Sequence, residues 1–549
     1  MKYSKDNLIY VPLGGSGEIG MNCNLFHFQD QWIMIDLGVT FNNDELGAYD
    51  LILPNIEFLE DKIEKLSALI LTHAHEDHIG AVPYLYDKLG NTPIYSTAFT
   101  ASVLKRKFES VGMKNVDINI LSYGKQFDLG SFSIQLFSMT HSIPESSAIL
   151  IKTKNGNIFH TGDWKIDPKP LVGKPIDHYK LKKAVQSNVD VMICDSTNVF
   201  NQEPSGSESE VRENLRKIFQ KHNSGKIIVT CFASNIARIE TILKVSSELN
   251  KCCLLLGRSL RRIYESAIEN DLLTEFDNIV TENEAKIIPD ENLVIICTGS
   301  QGESRAALSR LVDNNHKFLE LTNKDLVIFS SREIPGNEKK INNVKSEVKR
   351  KGCLLLDHTN SKVHVSGHPS KEELVEMYKW IVPDLLIPVH GEYRHLEEHI
   401  KFSSKMGIKN QILVENGDLV NLDKGKNRKI IGSIKTGRTA LKGNKIISLN
   451  DKFLNNLNII NTQGEIFVNI ISDVNDKLLT DPIIFCPSIP ISEDNRTELR
   501  SLIKEEFQNL CENSLDDNLL SDQIKIIVRS FLKNKIALKP LTFIEIVRI

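Results

Sequence analysis

The chain lacks the features that mark membrane, secreted and disulfide-rich proteins. No stretch of its 549 residues approaches the roughly 18 apolar residues of a membrane span, and residues 1–10 contain no apolar core of signal-peptide length. The 9 cysteines form no CxxC pair, which favours buried free thiols in a reducing compartment. We therefore expect a cytoplasmic protein that does not associate with a membrane.

A strong charge of either sign and low-complexity sequence are also absent. The net charge of −4 gives no overall signature of nucleic-acid binding, although a local basic groove would be enough to neutralise phosphates. The hydrophobic share of 41% and the charged share of 25% are those of an ordinary globular protein. A chain of 549 residues is too long for one hydrophobic core, and about three or four domains are expected.

The hydrophobic pattern predicts an α/β protein with an insertion. Up to about residue 198, short apolar runs closed by turns predict strands with much antiparallel character, for example at 68–72, 132–138 and 158–161. From 208 to 356, helices and strands alternate in the manner of a parallel sheet with crossover helices. Apolar strands flanked by histidines resume at 363–368 and 385–390, so the first domain is expected to finish there.

The remainder of the chain divides into a basic segment and a terminal domain. Between residues 424 and 445 lie 8 Lys or Arg and no Asp or Glu, a composition typical of a solvated linker or of a contact with a polyanion. Beyond about residue 457, strands at 465–471 and 524–531 around a helix at 498–510 predict a small α/β domain. The expected boundaries are 1–207 and 357–423 for the two parts of the first domain, 208–356 for the insertion, 424–456 for the linker and 457–549 for the terminal domain.

The segment with the clearest chemistry is the run His73-Ala74-His75-Glu76-Asp77-His78, which directly follows a predicted strand. Imidazole and carboxylate groups are the ligands that suit zinc and its first-row neighbours, and packing alone does not require them at this density. Because single residues separate His73, His75 and Asp77, one helical face cannot carry the whole group. The run is therefore expected to be a loop at the end of a strand.

Three further residues at predicted strand ends would complete a site for two metal ions. His141, Asp163 and His390 each follow an apolar run that predicts a buried strand. Any one of them alone would more often be an ordinary polar group at the end of a strand. Together with the histidine-rich run, they indicate a binuclear centre, because one loop cannot supply enough ligands for two ions.

These motifs resemble those of a known superfamily. In order and local context, His73-x-His75-x-Asp77-His78, His141 and Asp163 are similar to the metallo-β-lactamase motifs, and Asp36 matches that superfamily's first motif. Asp195, His368 and His390 resemble the three motifs of the nucleic-acid-processing β-CASP branch. Within that branch the chain resembles the bacterial ribonuclease J family over roughly its first 440 residues. The resemblance implies an αββα metallo-β-lactamase sandwich with an inserted β-CASP α/β domain and a small C-terminal α/β domain.

The resemblance also implies a role for each motif residue. One metal ion would be held by His73, His75 and His141, a second by Asp77, His78 and His390, and Asp163 would bridge them. The ions would be zinc, with manganese or magnesium as alternatives, because ligand type alone does not select among them. Two cations about 3.5 to 4 Å apart can activate a hydroxide and neutralise charge on a phosphate. Asp77, Asp195 and His368 would belong to the catalytic group, with His368 acting on the leaving oxygen and Asp36 and Asp195 orienting imidazoles.

A pocket for an RNA 5′-monophosphate is a further implication of the resemblance. Small residues, hydroxyls and backbone N–H groups can surround a phosphate without clashing. The alternative for the first part of this set is a simple N-cap of the helix that begins at Ile236, although a capped helix N-terminus can also bind an anion. The matching residues are Ala233, Ser234, Asn235, His364, Val365, Ser366, Gly367 and His368.

The resulting hypothesis is a metal-dependent ribonuclease. It would cut RNA internally and trim it from 5′-monophosphate ends in the 5′-to-3′ direction, acting in RNA maturation and mRNA decay as a homodimer or homotetramer with RNA-decay partners. The alternatives are a DNA-processing β-CASP nuclease, a small-molecule metallo-hydrolase and an inactive RNA-binding paralogue. His390 favours RNA, because DNA-directed members of the branch typically carry an aliphatic residue at that motif.

Overall fold

The computed structural model describes residues 3–41, 49–185, 189–443, 445–449, 452–512 and 516–549. It divides into two compact units, the first formed by Met1–Asn43 and Leu51–Thr439 and the second mainly by Ala440–Ile549. Among the described residues, no helix is both long and apolar enough to cross a membrane. The cysteines are free thiols, and most of them are buried.

Two large mixed sheets form the framework of the first unit. In spatial order, the eight-stranded sheet consists of Lys429–Ser433, Asp418–Asn421, Ile9–Gly14, Cys23–Phe28, Gln31–Ile35, Leu66–Ile70, Ile94–Ser96 and Ile118–Ile120. The seven-stranded sheet consists of Gln126–Leu129, Phe132–Met139, Ser146–Thr153, Gly156–His160, Val191–Asp195, Leu385–Val389 and Asn410–Gln411.

The sheets pack face to face because their strands alternate buried side chains between two cores. Ile33 of the eight-stranded sheet shares a core with Ile149 of the seven-stranded sheet. Leu150, the next residue along that strand, instead packs on the opposite face against Leu181 and Leu374, which belong to helices. This arrangement confirms the predicted α/β sandwich. Its helices are Glu76–Ile79, Val82–Leu85, Ala98–Ser110, His178–Val185, Lys371–Ile381 and Tyr393–Lys405.

The segment between the two parts of the sandwich contains a six-stranded sheet whose assigned strand pairs are all parallel. In spatial order its strands are Ile279–Val280, Cys252–Leu256, Leu293–Cys297, Ile227–Thr230, Leu326–Phe329 and Leu354–Leu356. The connecting helices are Glu208–Lys221, Ile236–Glu248, Arg258–Glu269, Glu282–Ala285, Ala307–Val312 and Glu338–Arg350. The predicted alternation of helices and strands is confirmed.

The second unit is a small α/β layer in which one sequence-based prediction is wrong. Its three-stranded sheet consists of Ile483–Phe485, Glu465–Ser472 and Leu541–Arg548, and its long helices are Lys452–Gln463, Glu493–Cys511 and Asp517–Ile536. Residues 524–531 were expected to form a strand but lie within the last helix. The buried side chains Leu520, Ile524 and Val528 recur every fourth residue, so helical packing outweighs the preference of β-branched residues for strands.

Two other segments also differ from expectation. The basic segment is not a structureless linker, because Lys429–Ser433, Arg438–Lys442 and Lys445–Ser448 are strands, the first of which pairs with Asp418–Asn421. Residues 363–368 form a loop instead of a strand. The Val363 carbonyl accepts hydrogen bonds from the side chains of Arg238 and Ser330, which replace a strand partner.

The remaining elements are short. The two-residue strands Ser16–Gly17 and Gly391–Glu392 pair in parallel, and Thr40–Phe41 pairs with Leu51–Pro54 in antiparallel. Single 3₁₀ turns occur at Glu57–Leu59, Ile63–Lys65, Tyr86–Leu89 and Asp290–Asn292.

Candidate metal centre

The residues of the predicted binuclear centre converge at one end of the sandwich. The loop after Leu66–Ile70 carries His73 and His75, and the short helix Glu76–Ile79 carries Asp77 and His78. The segment that follows Asp36 packs tightly against this helix: a Cβ atom on Gly38 would lie 1.7 Å from the Asp77 carbonyl oxygen. Only glycine therefore fits there, and its lack of a side chain lets the segment after Asp36 approach the helix Glu76–Ile79.

Three histidines form the first group of potential ligands. The Nδ1 atom of His75 lies 3.0 Å from Nε2 of His73 and 3.1 Å from Nε2 of His141. The two Nε2 atoms are each 3.8 Å from Oδ2 of Asp163. Ligand atoms around a tetrahedral zinc ion are about 3.3 Å apart, so these spacings fit a single cation.

A second group lies on the other side of the same carboxylate. Oδ2 of Asp163 is 3.1 Å from Nε2 of His78 and 3.2 Å from Nε2 of His390. Oδ2 of Asp77 lies 3.7 Å from the His78 nitrogen and 3.5 Å from the His390 nitrogen. Asp163 thus belongs to both groups, as a bridging ligand would.

The hydrogen bonds around the centre determine which ring nitrogens carry hydrogen. His78 donates from Nδ1 to Oδ2 of Asp36 over 2.7 Å, because a carboxylate can only accept. Thr72 also donates its hydroxyl to this Asp36 oxygen, so the hydroxyl accepts from Nδ1 of His73 at 3.0 Å. In the neutral rings, Nε2 of both histidines is then an unprotonated acceptor directed at the centre.

The third imidazole is oriented in the same way. His141 donates from Nδ1 to the Gly367 carbonyl oxygen over 2.5 Å, which leaves its Nε2 atom as an acceptor. Nε2 of His73 and of His141, and that of His78 in its neutral form, are therefore acceptors that face the Asp163 carboxylate. Acceptors do not attract one another, so such a cluster requires protons or cations between its members, and the nitrogen and oxygen donor set fits divalent metal ions.

Charges within the centre shift the histidine pKa values in opposite directions. Burial lowers the pKa of His75 to about 3, and burial together with neighbouring imidazoles holds those of His73 and His141 well below 6.5. For His78 and His390, burial acts in the same direction but the Asp163 carboxylate outweighs it and raises the pKa. The first group therefore has the neutral imidazoles that metal binding needs.

Asp195 and His368 form a pair next to the centre. His368 donates from Nδ1 to Oδ2 of Asp195 over 2.7 Å, and this nitrogen lies 3.9 Å from Oδ2 of Asp163. Burial opposes protonation of His368, but the Asp195 carboxylate outweighs it and raises the pKa to about 9. The sequence-based expectation that Asp195 orients an imidazole thus corresponds to a contact with His368.

One residue of the centre was missed by sequence reasoning. The buried side-chain nitrogen of Asn22 lies 3.1 Å from Nε2 of His78 and 3.2 Å from Nδ1 of His390. Asn22 precedes the strand Cys23–Phe28 and does not end one, so the search for polar residues after strands could not find it.

The residues of the expected phosphate pocket lie on two loops, and Arg238 forms hydrogen bonds to both of them. Asn235 is the N-cap of the helix Ile236–Glu248, and its Oδ1 accepts from the Arg238 backbone N–H at 3.0 Å. Nη1 of Arg238 donates to the Val363 carbonyl over 2.8 Å. In the loop that follows, Nδ1 of His364 is buried and has no hydrogen-bond partner among the described residues. The expected residues Ala233, Ser234, Val365, Ser366 and Gly367 occupy these two loops.

Three family models match consecutive parts of the chain. The beta-lactamase superfamily domain matches residues 31–219, the ribonuclease J beta-CASP domain matches 224–348, and the Zn-dependent metallo-hydrolase RNA specificity domain matches 358–413. These matches cover most strands of the sandwich and of the inserted sheet. A solved structure of a protein of unknown function from Enterococcus faecalis V583 shares the fold with a TM-score of 0.53 at 16% identity, covering 76% of this chain and 100% of that one.

Curated relatives match over nearly the whole length. Ribonuclease J of Sinorhizobium meliloti is 34% identical, covering 99% of this chain and 98% of its own. Ribonuclease J of Thermus thermophilus is 31% identical, and the match covers 98% of this chain and 94% of the relative. Ribonuclease J of Mycolicibacterium smegmatis is 35% identical, and the match covers 79% of this chain and 78% of the relative. With this identity and coverage, the chain belongs to the ribonuclease J family.

Proposed function

We propose that this chain is a metal-dependent ribonuclease that hydrolyses RNA phosphodiester bonds. It cuts RNA internally, trims it in the 5′-to-3′ direction from 5′-monophosphate ends, and acts in RNA maturation and mRNA decay. The observation that carries the proposal is the position of Asp163, whose Oδ2 atom lies within 3.8 Å of Nε2 atoms from both ligand groups. One carboxylate shared in this way suits a pair of cations.

Two divalent ions, with zinc as the preferred metal and manganese or magnesium as alternatives, would occupy the two groups. One ion would be held by His73, His75 and His141. The other would be held by Asp77, His78 and His390, and Asp163 would contribute to both sites. This division matches the two clusters of mutually close ligand atoms. When bound, such a pair supplies a hydroxide nucleophile and neutralises charge on the scissile phosphate.

Residues next to the metal centre would supply the proton that the leaving oxygen needs. His368 stands beside the centre and is kept in one orientation by its 2.7 Å hydrogen bond to Asp195. Because Nδ1 is committed to the carboxylate, Nε2 is the ring atom available to protonate the leaving oxygen. Asp195 thus acts as the orienting group and His368 as the general acid, while Asp36 holds His78.

Three observations favour RNA over the alternative substrates. The relatives named above are ribonucleases, and a model of an RNA specificity domain matches residues 358–413. The aliphatic residue typical of DNA-directed members is replaced by His390, which lies within 3.5 Å of the Asp77 carboxylate. A small-molecule hydrolase would not need the inserted six-stranded sheet.

The preference for a 5′-monophosphate would come from the two loops joined by Arg238. The hydroxyls, backbone N–H groups and the unpartnered Nδ1 atom of His364 provide donors for phosphate oxygens. Replacing His364 or Ser234 by alanine is expected to reduce the discrimination between monophosphate and triphosphate ends, and unchanged discrimination would count against the pocket.

A comparison of end-labelled RNAs tests the proposed activity. The metal-supplied protein should shorten a 5′-monophosphorylated RNA more rapidly than a 5′-triphosphorylated one, and product sizes separate trimming from internal cutting. His75→Ala should abolish both activities, whereas His178→Ala, which removes an imidazole outside the centre, should retain them. Intact RNA with the wild-type protein, or equal cleavage by His75→Ala, would refute the proposal.

The domain boundaries and the assembly belong to the same proposal. We place the two parts of the metallo-β-lactamase domain at 1–207 and 357–423, the β-CASP insertion at 208–356, a connecting segment at 424–456 and the terminal domain at 457–549. The protein would form a homodimer or homotetramer, bind RNA and associate with partners in RNA decay. Light scattering of the purified chain measures its assembly, and a monomer would contradict that part.

A further inference from the structure

The inserted parallel sheet presents one edge on which several loops meet. Because its paired strands run in the same direction, the segments that follow Cys252–Leu256, Leu293–Cys297 and Leu326–Phe329 all emerge at the carboxyl edge. In open α/β sheets, ligands bind outside the carboxyl ends of the strands.

This edge is connected directly to the metal centre. Nη1 of the fully buried Arg238 donates to the Ser330 carbonyl over 2.7 Å and to the Val363 carbonyl over 2.8 Å. Val363 begins the loop that ends at Gly367, whose carbonyl accepts from His141. The Ser330 end of the carboxyl edge is thus linked by hydrogen bonds, through the loop 363–367, to a residue of the metal centre.

Three arginines lie in the segments that follow these three strands. Arg258, Arg305 and Arg332 are exposed, and within the described part of the chain their side chains make no hydrogen bond or ion pair. The carboxylates next to them in sequence have other partners: Glu303 accepts from the Gln301 backbone N–H, and Glu333 is paired with Lys345, so neither forms an ion pair with these arginines. The positive charge at this edge is thus available to a ligand.

The loops that carry the arginines are held in place. Nε2 of Gln301 donates to the Arg332 carbonyl over 2.9 Å, and its Oε1 accepts from the Ile334 backbone N–H at 2.8 Å, which ties two of the loops together. Just before Arg258, a Cβ atom on Gly257 would lie 2.8 Å from Cγ2 of Thr298, so the Gly257 backbone packs closely against the Thr298 side chain. Fixed loops reduce the entropy lost when a ligand binds.

We propose that Arg258, Arg305 and Arg332 bind the phosphate backbone of the RNA substrate and position it at the metal centre. A guanidinium group can donate two parallel hydrogen bonds to a phosphate, and this geometry is independent of base sequence. The proposal rests on the ribonuclease activity proposed above and adds the surface that holds the RNA.

The test is the salt dependence of RNA cleavage by the metal-loaded, full-length protein. For a single-stranded 5′-monophosphorylated RNA, the negative slope of log(kcat/KM) against log[KCl] should become shallower by about 0.7 for each phosphate contact removed, so by about 2 for the triple variant R258Q/R305Q/R332Q. Each single variant should raise KM with little change in kcat. The triple Arg→Lys variant retains the charge and should keep the slope.

Arg350→Gln is the matched control. Arg350 ends the helix that precedes the strand Leu354–Leu356, so it lies toward the amino edge of the same sheet, and it is exposed. Its loss should leave the slope unchanged. An unchanged slope in the triple Arg→Gln variant, or an equal change per charge in Arg350→Gln, would overturn the proposal. Absence of cleavage by the wild-type protein would instead refute the proposed function.

Discussion

Replacing Asp36 by asparagine should weaken metal binding without preventing folding. The buried Asp36 carboxylate accepts from the Thr72 backbone N–H at 2.8 Å, from the Thr72 hydroxyl at 2.8 Å and from Nδ1 of His78 at 2.7 Å. Its backbone has a φ of 62°, a left-handed conformation that asparagine also tolerates. The substitution therefore changes charge and hydrogen bonding more than shape.

The size of the effect follows from these three bonds. An amide has one accepting oxygen, so in either orientation its NH₂ group must face at least one N–H or O–H donor, and a hydrogen bond to a charged group is lost. Such a bond contributes about 1.5 to 3 kcal/mol. Because His78 is one of the donors, we expect divalent-metal affinity to fall about 10- to 100-fold, the usual consequence of losing a partner of a ligating imidazole.

Competition with a chromophoric chelator measures this affinity. Asp423→Asn is the matched control, since Asp423 is also a buried carboxylate and accepts from the Leu8 backbone N–H at 2.8 Å, outside the metal centre. It should lower thermal stability while keeping the metal affinity of the wild-type protein. Equal affinities for the wild type and Asp36→Asn would refute the reasoning.

Three further predictions concern other parts of the first unit. Gly367→Ala should lower kcat about 100-fold, because its Cβ would lie 2.8 Å from Cε1 of His141 and displace that ring. Asn235→Ala should lower the free energy of unfolding in urea by about 1 kcal/mol through loss of the helix cap. Burial lowers the pKa of His399 from 6.5 to about 4, so the stability that its neutral ring contributes is complete above pH 6.5 and is lost as the pH falls toward 4. Between pH 7 and pH 5 the loss should be about 2 kcal/mol, and His399→Gln should not show it.

For each of these predictions, one result would contradict it. Wild-type kcat in Gly367→Ala would mean that the loop yields without moving His141. Unchanged urea stability in Asn235→Ala would mean that Ser234 or water replaces the cap. An identical pH dependence of unfolding in His399→Gln and the wild type would mean that His399 ionises in the folded state.

The convergence of the proposed ligand residues was predictable because each one follows the end of a strand. His141 follows Phe132–Met139, Asp163 comes shortly after Gly156–His160, and His390 directly follows Leu385–Val389. Apolar runs reveal buried strands, and polar residues at their ends are conspicuous. What the sequence could not reveal was distance: the contact of Asp195 with His368 and that of Asn22 with His78 join residues far apart in the chain.

The errors in the predicted fold have a common physical origin. Local preference favoured a strand at residues 524–531 and a solvated run at 424–445, whereas tertiary packing makes the first a helix and forms strands in the second. Ile524 and Val528 face the same core as Ile466 of the neighbouring sheet, which requires helical spacing. Lys429–Ser433 finds a strand partner in Asp418–Asn421, which its charged composition does not indicate.

Metal content measured together with RNA cleavage tests the central claim most directly. Two cations that share Asp163 should appear as two divalent ions per chain in the active wild-type protein. His390→Leu removes a proposed ligand of the second group, and this variant should retain about one ion while losing RNA cleavage. Full cleavage by a protein that holds one ion or none per chain would contradict the account.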